Sequence, residues 1–432
     1  MDKITFLGAG STVFAKNVLG DCLLTPSLQE FEYALFDIDP ARLSDSAAML
    51  SAINSNMNAG RARVVSYDDR RKALAGAAFV VNAVQVGGYE PSTVIDFEVP
   101  KKYGLRQTIG DTLGIGGIFR ALRTIPVVLD FARDMADVCP EALLLNYSNP
   151  MAMLPGALLR HGGVRTVGLC HSVQVCVPHL FRDLGMDPAG VESRIAGINH
   201  MAWLLTVKRG GVDLYPEIRA RAVSRPTPHS DMVRYEIMRR FGHYVTESSE
   251  HNAEYNPWFI KRRMPELIGR FAIPLDEYPR RCIEQIEDWK RMREHLTKNR
   301  ALRHERTQEY ASFIMDAIQT DVPFRIAGNV LNTGLITNLP SEACVEVPCM
   351  VDRTGIHPCH VGALPVQLAA LNMTNVNVQL VAVEAAVTHC RDMVYQAALL
   401  DPHMAAELSI DEVVGLCDEL IEAHGSWIPA LR

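Results

Sequence analysis

Three short polar clusters in the middle of the chain carry residue types able to do chemistry. Residues 142–145 lead into Asn146-Tyr147-Ser148-Asn149-Pro150, residues 164–167 into Gly168-Leu169-Cys170-His171-Ser172, and residues 194–196 into Gly197-Ile198-Asn199-His200. A thiol, two imidazoles and amides thus follow consecutive apolar, strand-like runs. A cysteine and a histidine at neighbouring strand ends can be a metal pair, a thiolate nucleophile with its base, or two buried side chains. One Cys and one His with only amide and hydroxyl neighbours cannot close a four-ligand structural zinc site, whereas an open site completed by substrate oxygens and water remains available. Cys170 also stands next to His171 and close to a helix expected to start near Val175, a setting that suits metal binding or nucleophilic attack.

Such clusters need a frame that makes them converge. In an open parallel sheet the ligand crevice lies outside the carboxyl ends of the strands, which is where all three would sit. The N-terminal residues read as that frame. Lys3-Ile4-Thr5-Phe6-Leu7 is a strand-like run, Gly8-Ala9-Gly10-Ser11 a tight turn, and residues 13–24 a helix. The first glycine permits the turn, the second lets backbone approach a pyrophosphate, and the helix N-terminus offers N–H groups to the phosphates. Val13 replaces the third glycine of the dinucleotide fingerprint, and an ordinary βα loop is the competing reading.

The next run, Tyr33-Ala34-Leu35-Phe36, ends in Asp37-Ile38-Asp39-Pro40. Asp37 takes the place where a dinucleotide fold binds the adenosine ribose, and its charge disfavours a 2′-phosphate, so NAD is expected over NADP. Asp39, before a proline, reads as a helix cap, and a second solvated cap is the alternative for Asp37. Residues 78–84 form a buried strand whose end should face the nicotinamide half, and helix 118–138 with strand 143–145 continues the alternation. A doubly wound sheet is expected through about residue 196. Beyond it come long charged helices, 284–299 and 305–318, and a polar, aromatic insert at 243–259 that should cover the crevice. Strand-like pieces follow at 330–337 and 345–351, then helices around 366–400 and 410–424.

The 432 residues, 48% hydrophobic and 22% charged, can bury a large core. A net charge of -7 and a pI near 6.1 give no basic footprint for nucleic acid. Ten cysteines in apolar contexts do not form a disulfide framework, which fits a reducing cytoplasm. No signal peptide is read at the N-terminus, and no apolar stretch approaches the roughly 20 residues needed to span a bilayer. The expected partner is a small molecule, without nucleic acid or membrane.

Taken together, several separated motifs resemble glycoside hydrolase family 4 over almost the whole chain. They are the turn Gly8-Ala9-Gly10-Ser11-Thr12, the runs Asp111-Thr112-Leu113-Gly114-Ile115-Gly116-Gly117 and Ala121-Leu122-Arg123-Thr124-Ile125-Pro126, Asn149-Pro150-Met151-Ala152-Met153, the Cys170 and His200 clusters, and Asn338-Leu339-Pro340 with Val345-Glu346-Val347-Pro348. The likeness is to the bacterial α-galactosidases (melibiases) of that family, with a near relative among its α-glucosidases. It implies a Rossmann-like doubly wound α/β domain, residues 1–196, binding NAD. A second α+β domain, 197–432, would serve substrate, metal and oligomerisation, lactate/malate dehydrogenase-like overall and forming a homo-oligomer, dimer or tetramer.

The resemblance implies NAD and a divalent metal, usually Mn2+, in a hydrolase without net redox change, an exception to the two-carboxylate scheme. NAD would oxidise the sugar 3-hydroxyl, a base would remove the C2 proton, the glycosidic oxygen would be eliminated with help from an acid, and water and hydride would then add. On that pattern Cys170 and His200 hold the metal, His171 is the acid, and Asp111 and Asn149 bind the sugar, while Gly8, Gly10, Ser11, Thr12 and Asp37 bind NAD. Other members place a Tyr or Asp as base on the segment corresponding to 242–251; here Ser248 falls near that position and is a poor base. Glu247 takes the role, with Tyr244, Glu250 and Tyr255 as alternatives. The sequence around Asp111 differs from that of phosphosugar-specific members, so an unphosphorylated α-galactoside such as melibiose is expected, with an α-glucoside or α-galacturonide as alternatives. An NAD-dependent 2-hydroxyacid dehydrogenase and a non-catalytic NAD-binding regulator are the readings from other classes.

Overall fold

A computed structural model describes residues 1–432. Six strands, β1 (Lys3–Leu7), β2 (Glu32–Phe36), β3 (Arg63–Tyr67), β4 (Phe79–Asn82), β5 (Leu143–Asn146) and β6 (Thr166–Gly168), pair in parallel in the order 3-2-1-4-5-6. Their crossovers include helices Thr12–Leu23, Pro40–Met57 and Gly114–Val138, which cover the sheet. Strands buried on both faces need continuous apolar runs, and β4 and β5 are buried at every position. The order reverses between β1 and β4, so the crevice opens where the turn after β1 meets the end of β4.

The parallel part stops at Gly168, short of the expected residue 196. Strands β7 (Val191–Ile198), β8 (Met201–Arg209) and β9 (Val212–Asp213) form an antiparallel meander, and β10 (Phe324–Leu331) and β11 (Cys344–Asp352) lie between β6 and β7, with β12 (Gly355–Pro358) beside β11. β7 is antiparallel on both edges, to β11 on one side and, through the two-residue turn Asn199-His200, to β8 on the other. The His200 cluster therefore reaches the crevice by another route than a parallel strand end. One rung crosses the sheet from Gly168 to Asn329, Glu346 and Gly197. Cys170 follows the first residue of that rung closely and His200 the last.

One hydrophobic cluster of 97 buried residues joins β1, β4 and β5 to Trp203 on β8, Val347 on β11 and the helix Val366–Thr388. A second of 16 seats helix Ser172–Asp183 against the β7–β8 hairpin. Residue 196 falls inside β7, and both the sheet and the larger core continue across it.

Several elements differ from expectation for local reasons. The helix expected at 118–138 starts at Gly114, and at Gly116 any Cβ would lie 2.2 Å from the Gly110 carbonyl oxygen. The helix expected from about Val175 starts at Ser172, immediately after His171. The region 366–400 is two helices, Val366–Thr388 and Arg391–Leu400, broken where His389 adopts φ 57°. Residues 305–309 stay out of the helix expected there, which begins at Tyr310, because Asp21 holds Thr307 N at 2.8 Å and His304 Nε2 at 2.7 Å. No helix is long and apolar enough to cross a membrane.

Candidate active site

Gly8, at φ 87°, turns the chain so tightly against β4 that a Cβ would lie 2.9 Å from the Ala83 backbone. At Gly10 a Cβ would meet the Asp37 carboxyl at 2.7 Å. Asp37 accepts from Gly10 N at 2.6 Å and from Asp39 N at 2.8 Å, so it braces the turn besides standing at the end of β2. Asp39 caps the following helix through Ala41 N and Arg42 N. Ser11 precedes the helix Thr12–Leu23 without capping it, and its first N–H groups are left for an anion. A turn with glycine at two of its positions, an uncapped helix start and a carboxylate beside them suit a dinucleotide.

Across the crevice, the donor atoms of Cys170, His200 and Glu247 all lie within 4.8 Å of one another. His200 (φ 62°) and Glu247 (φ 64°) both hold left-handed backbone that L-residues rarely adopt, the kind of strain that accumulates at functional sites. The Tyr255 hydroxyl lies 2.9 Å from His200 Nδ1 and fixes the ring, while Nε2 faces Glu247 at 3.5 Å. Burial works against charge on His200, yet the Cys170 sulfur and the Glu247 carboxylate outweigh it and push the imidazole up to about 10. Burial works against charge on Glu247 as well, which raises its carboxyl, yet His200, His251 and Arg234 outweigh it and hold it below the usual carboxylate range. Three donor atoms this close together, on groups that bind divalent cations once deprotonated, make a seat such a cation would fit. Sulfur, nitrogen and one carboxylate make an open donor set, short of a closed structural site.

Between turn and cluster lies a cleft of about 260 Å³, lined among others by Ser11, Gln85, Asp111, Asn149, Cys170 and His171. Asn149 donates to Asp111 at 3.2 Å. Asp111 is buried, a cost overcome by His251, Arg120 and His200, which hold its carboxyl well below the usual range. His171 stands at the rim with its side chain 48% exposed and Nε2 2.8 Å from Glu309, whose carboxylate raises the imidazole against the effect of burial. A larger apolar hollow of about 430 Å³ around Phe241, Trp258 and Phe271 contains none of these groups.

The structure thus gathers Gly8, Gly10, Ser11 and Asp37 on one side, Cys170, His200 and Glu247 on the other, and Asp111, Asn149 and His171 between them. Thr12 is buried as the first helical residue. Of the alternatives to Glu247, Tyr244 is turned away into the interior and donates to Asp231 at 2.6 Å, Glu250 pairs with Arg281 at 3.5 Å, and Tyr255 is engaged by His200. Ser248 caps the short helix Ser249–Glu254. Four residues escaped the sequence reading. Arg120 donates to the Asn149 carbonyl at 3.2 Å and to the Tyr278 hydroxyl at 3.1 Å, His251 lies 3.5 Å from Glu247, and Glu309 holds His171. A charge in the apolar, glycine-rich run around Arg120 and the one-turn spacing from Glu247 to His251 were readable signals; Tyr278 and Glu309 had none.

The model described as family 4 glycosyl hydrolase matches residues 3–186, and that of the family 4 glycosyl hydrolase C-terminal domain matches residues 195–404. The chain is 63% identical to an alpha-galactosidase of Bacillus subtilis (strain 168), covering 100% of both chains. Its fold resembles that of a putative glucosidase from Bacillus subtilis, with a TM-score of 0.86 and 24% identity over 97% of this chain and 99% of that one. It also resembles a 6-phospho-alpha-glucosidase from gut microorganisms in complex with NAD and Mn2+, with a TM-score of 0.80 and 20% identity over 100% of both chains.

Proposed function

The chain belongs to glycosyl hydrolase family 4, and from that premise we propose that it hydrolyses unphosphorylated α-galactosides such as melibiose with NAD and Mn2+. The observation that carries the reading is that Ser11 of the glycine turn and Cys170 of the donor cluster line one cleft. The 63% identity to an alpha-galactosidase over the full length of both chains supports the substrate class.

When bound, NAD would take up and return the hydride at sugar C3 and the metal would polarise the sugar oxygens beside it, which together acidify the C2 proton. Cys170 and His200 would hold the metal, and the Tyr255 hydroxyl at His200 Nδ1 leaves Nε2 free for it. Asp111 and Asn149, already hydrogen-bonded to each other, present one carboxylate and one amide to the sugar hydroxyls. Glu247, whose carboxyl is held below the usual range by His200, His251 and Arg234, would remove the C2 proton. His171, at the rim, gives a proton to the departing glycosidic oxygen. The left-handed backbone at Glu247 helps to fix its carboxylate where a single proton must be reached.

The Arg120 guanidinium in the cleft favours one second reading, a galacturonide whose carboxylate it would pair. Asp111 and Tyr278 already compete for it. With p-nitrophenyl α- and β-galactosides, α-glucoside and α-galacturonide in the presence of NAD, Mn2+ and a thiol, the α-galactoside is expected to turn over fastest, with no NADH accumulating. Faster cleavage of the galacturonide would favour the Arg120 reading, and stoichiometric NADH would make the protein a dehydrogenase.

Asp37 supplies a second expectation. Asp37→Ala should weaken NAD by roughly 1–3 kcal/mol, the scale for hydrogen bonds to a charged group, and should narrow the preference over NADP because the repulsion of a 2′-phosphate is gone. Fluorescence titrations with both cofactors measure this, and superimposable curves for variant and parent would remove Asp37 from the site.

A further inference from the structure

Glu309 is a buried carboxylate whose one side-chain partner is an imidazole at the rim of the cleft. It occupies the N-cap position of helix Tyr310–Thr320, yet its side chain does not cap that helix. It turns instead to His171, placing Oε2 2.8 Å from Nε2. The side chain is 11% exposed against 48% for His171, so the carboxylate is fixed behind a ring that faces the cleft.

The extended segment 304–309 that delivers Glu309 is tied down on three sides. Asp21, fully buried in helix Thr12–Leu23, holds His304 Nε2 at 2.7 Å, Thr307 N at 2.8 Å and the Thr307 hydroxyl. Gly20 makes room for this, since a Cβ there would lie 2.7 Å from the His304 ring. Gln174, on the helix that follows His171, donates to the Gln308 carbonyl at 2.6 Å, and the Tyr147 hydroxyl accepts from Ala311 N at 3.0 Å. The anchoring reaches the helix beneath the glycine turn, the helix after His171 and the loop after β5. Within residues 304–309 the one side chain hydrogen-bonded to a cleft-lining residue is that of Glu309.

We propose that Glu309 is the positioning residue for the leaving-group acid: it holds His171 through Nε2, so that the proton for the departing oxygen is presented from Nδ1. The inference rests on the reading of His171 as that acid. A carboxylate bonded to one nitrogen of an imidazole sets both its tautomer and its orientation, which is the contribution of the third member of a catalytic triad. Glu309 acts through His171 and does not touch the sugar.

The dependence on leaving group tests this. A phenolate as stabilised as p-nitrophenolate departs without protonation, whereas the sugar alkoxide released from melibiose needs the acid. Glu309→Gln, which keeps the volume of the side chain, is expected to lower kcat/KM for melibiose by roughly 10–100-fold. Hydrolysis of p-nitrophenyl α-galactoside should change less than about threefold, and affinities for NAD and Mn2+ should be unchanged. Thr307→Val, which loosens the segment but leaves Glu309 in place, should show the same selectivity to a smaller degree and decides the matter if Glu309→Gln does not fold. Equal losses on both substrates, or none, would overturn the proposal. His171→Ala separates it from the reading beneath it. If His171→Ala is selective for melibiose and Glu309→Gln is not, Glu309 has no positioning role; if His171→Ala is itself unselective, His171 is not the acid.

Discussion

Replacing Cys170 by serine is expected to abolish turnover and leave the fold nearly intact. The thiol is half-buried at the cleft, and the Ser172 amide points at its sulfur from 3.5 Å. At neutral pH a thiolate is a far stronger ligand for a divalent metal than a hydroxyl, and the remaining donors, His200 and Glu247, form an incomplete pair. Metal affinity should fall by more than about 100-fold, beyond the 10–100-fold typical of losing an outer-shell partner. NAD affinity and the thermal midpoint should hardly move, because no core residue is lost. Isothermal titration with Mn2+, a cofactor titration and a melting curve check the three parts separately. Full activity with metal still bound would end the assignment. Mild oxidation should mimic the substitution reversibly. Six of the ten cysteines are buried, and several of those, including Cys22 and Cys176, have thiols pushed up by burial. Cys170 lines the cleft.

The turn after β1 was legible because a dinucleotide seat is built from local sequence: glycines where backbone must approach, a strand before, a helix after, an acid at the end of the next strand. The same holds for Asp39, a cap identified by the proline that follows it, and for helix Ile410–His424, whose boundaries match expectation and whose start carries a Ser409–Glu412 capping box. What stayed hidden depends on partners remote in sequence. The strand-like run before His200 gave no sign that β10 and β11 would slip between it and β6, since alternating apolarity names a buried face and not a neighbour. Tyr278 reaches Arg120 across 158 residues and Glu309 reaches His171 across 138. Neither residue's place in the sequence signals its partner: Glu309 falls inside the helix expected at 305–318 and Tyr278 before the one expected at 284–299. Glu247 lies between: the sequence could only set it beside Tyr244, Glu250 and Tyr255. The folded chain sends Tyr244 into the core to Asp231 and brings Glu247 to the cluster.

That placement allows two roles for Glu247, proton acceptor or third metal donor, and isotope exchange separates them within a test of the whole reaction course. If hydrolysis passes through oxidation at C3 and deprotonation at C2, turnover in deuterated water should give galactose carrying deuterium at C2, read by mass spectrometry or NMR. Direct displacement through an oxocarbenium-like transition state breaks no bond at C2–H and incorporates nothing. Glu247→Gln removes the charge and keeps the shape. With Glu247 as the base, the variant should lose turnover by roughly 10²–10⁴-fold, the usual contribution of general acid–base catalysis, while its Mn2+ affinity stays within about tenfold of the parent. That order of effects is expected because Cys170 and His200 remain, and because His200 is held by Tyr255 independently of Glu247. A collapse of Mn2+ affinity with activity recovered at high metal would instead make Glu247 a ligand. Exchange at the parent rate in the variant would move the base elsewhere, and His251, 3.5 Å from Glu247 and 3.8 Å from Asp111, is the next group within reach. Product without deuterium at C2 in the parent enzyme would reject the redox-assisted route itself, whatever Glu247 does.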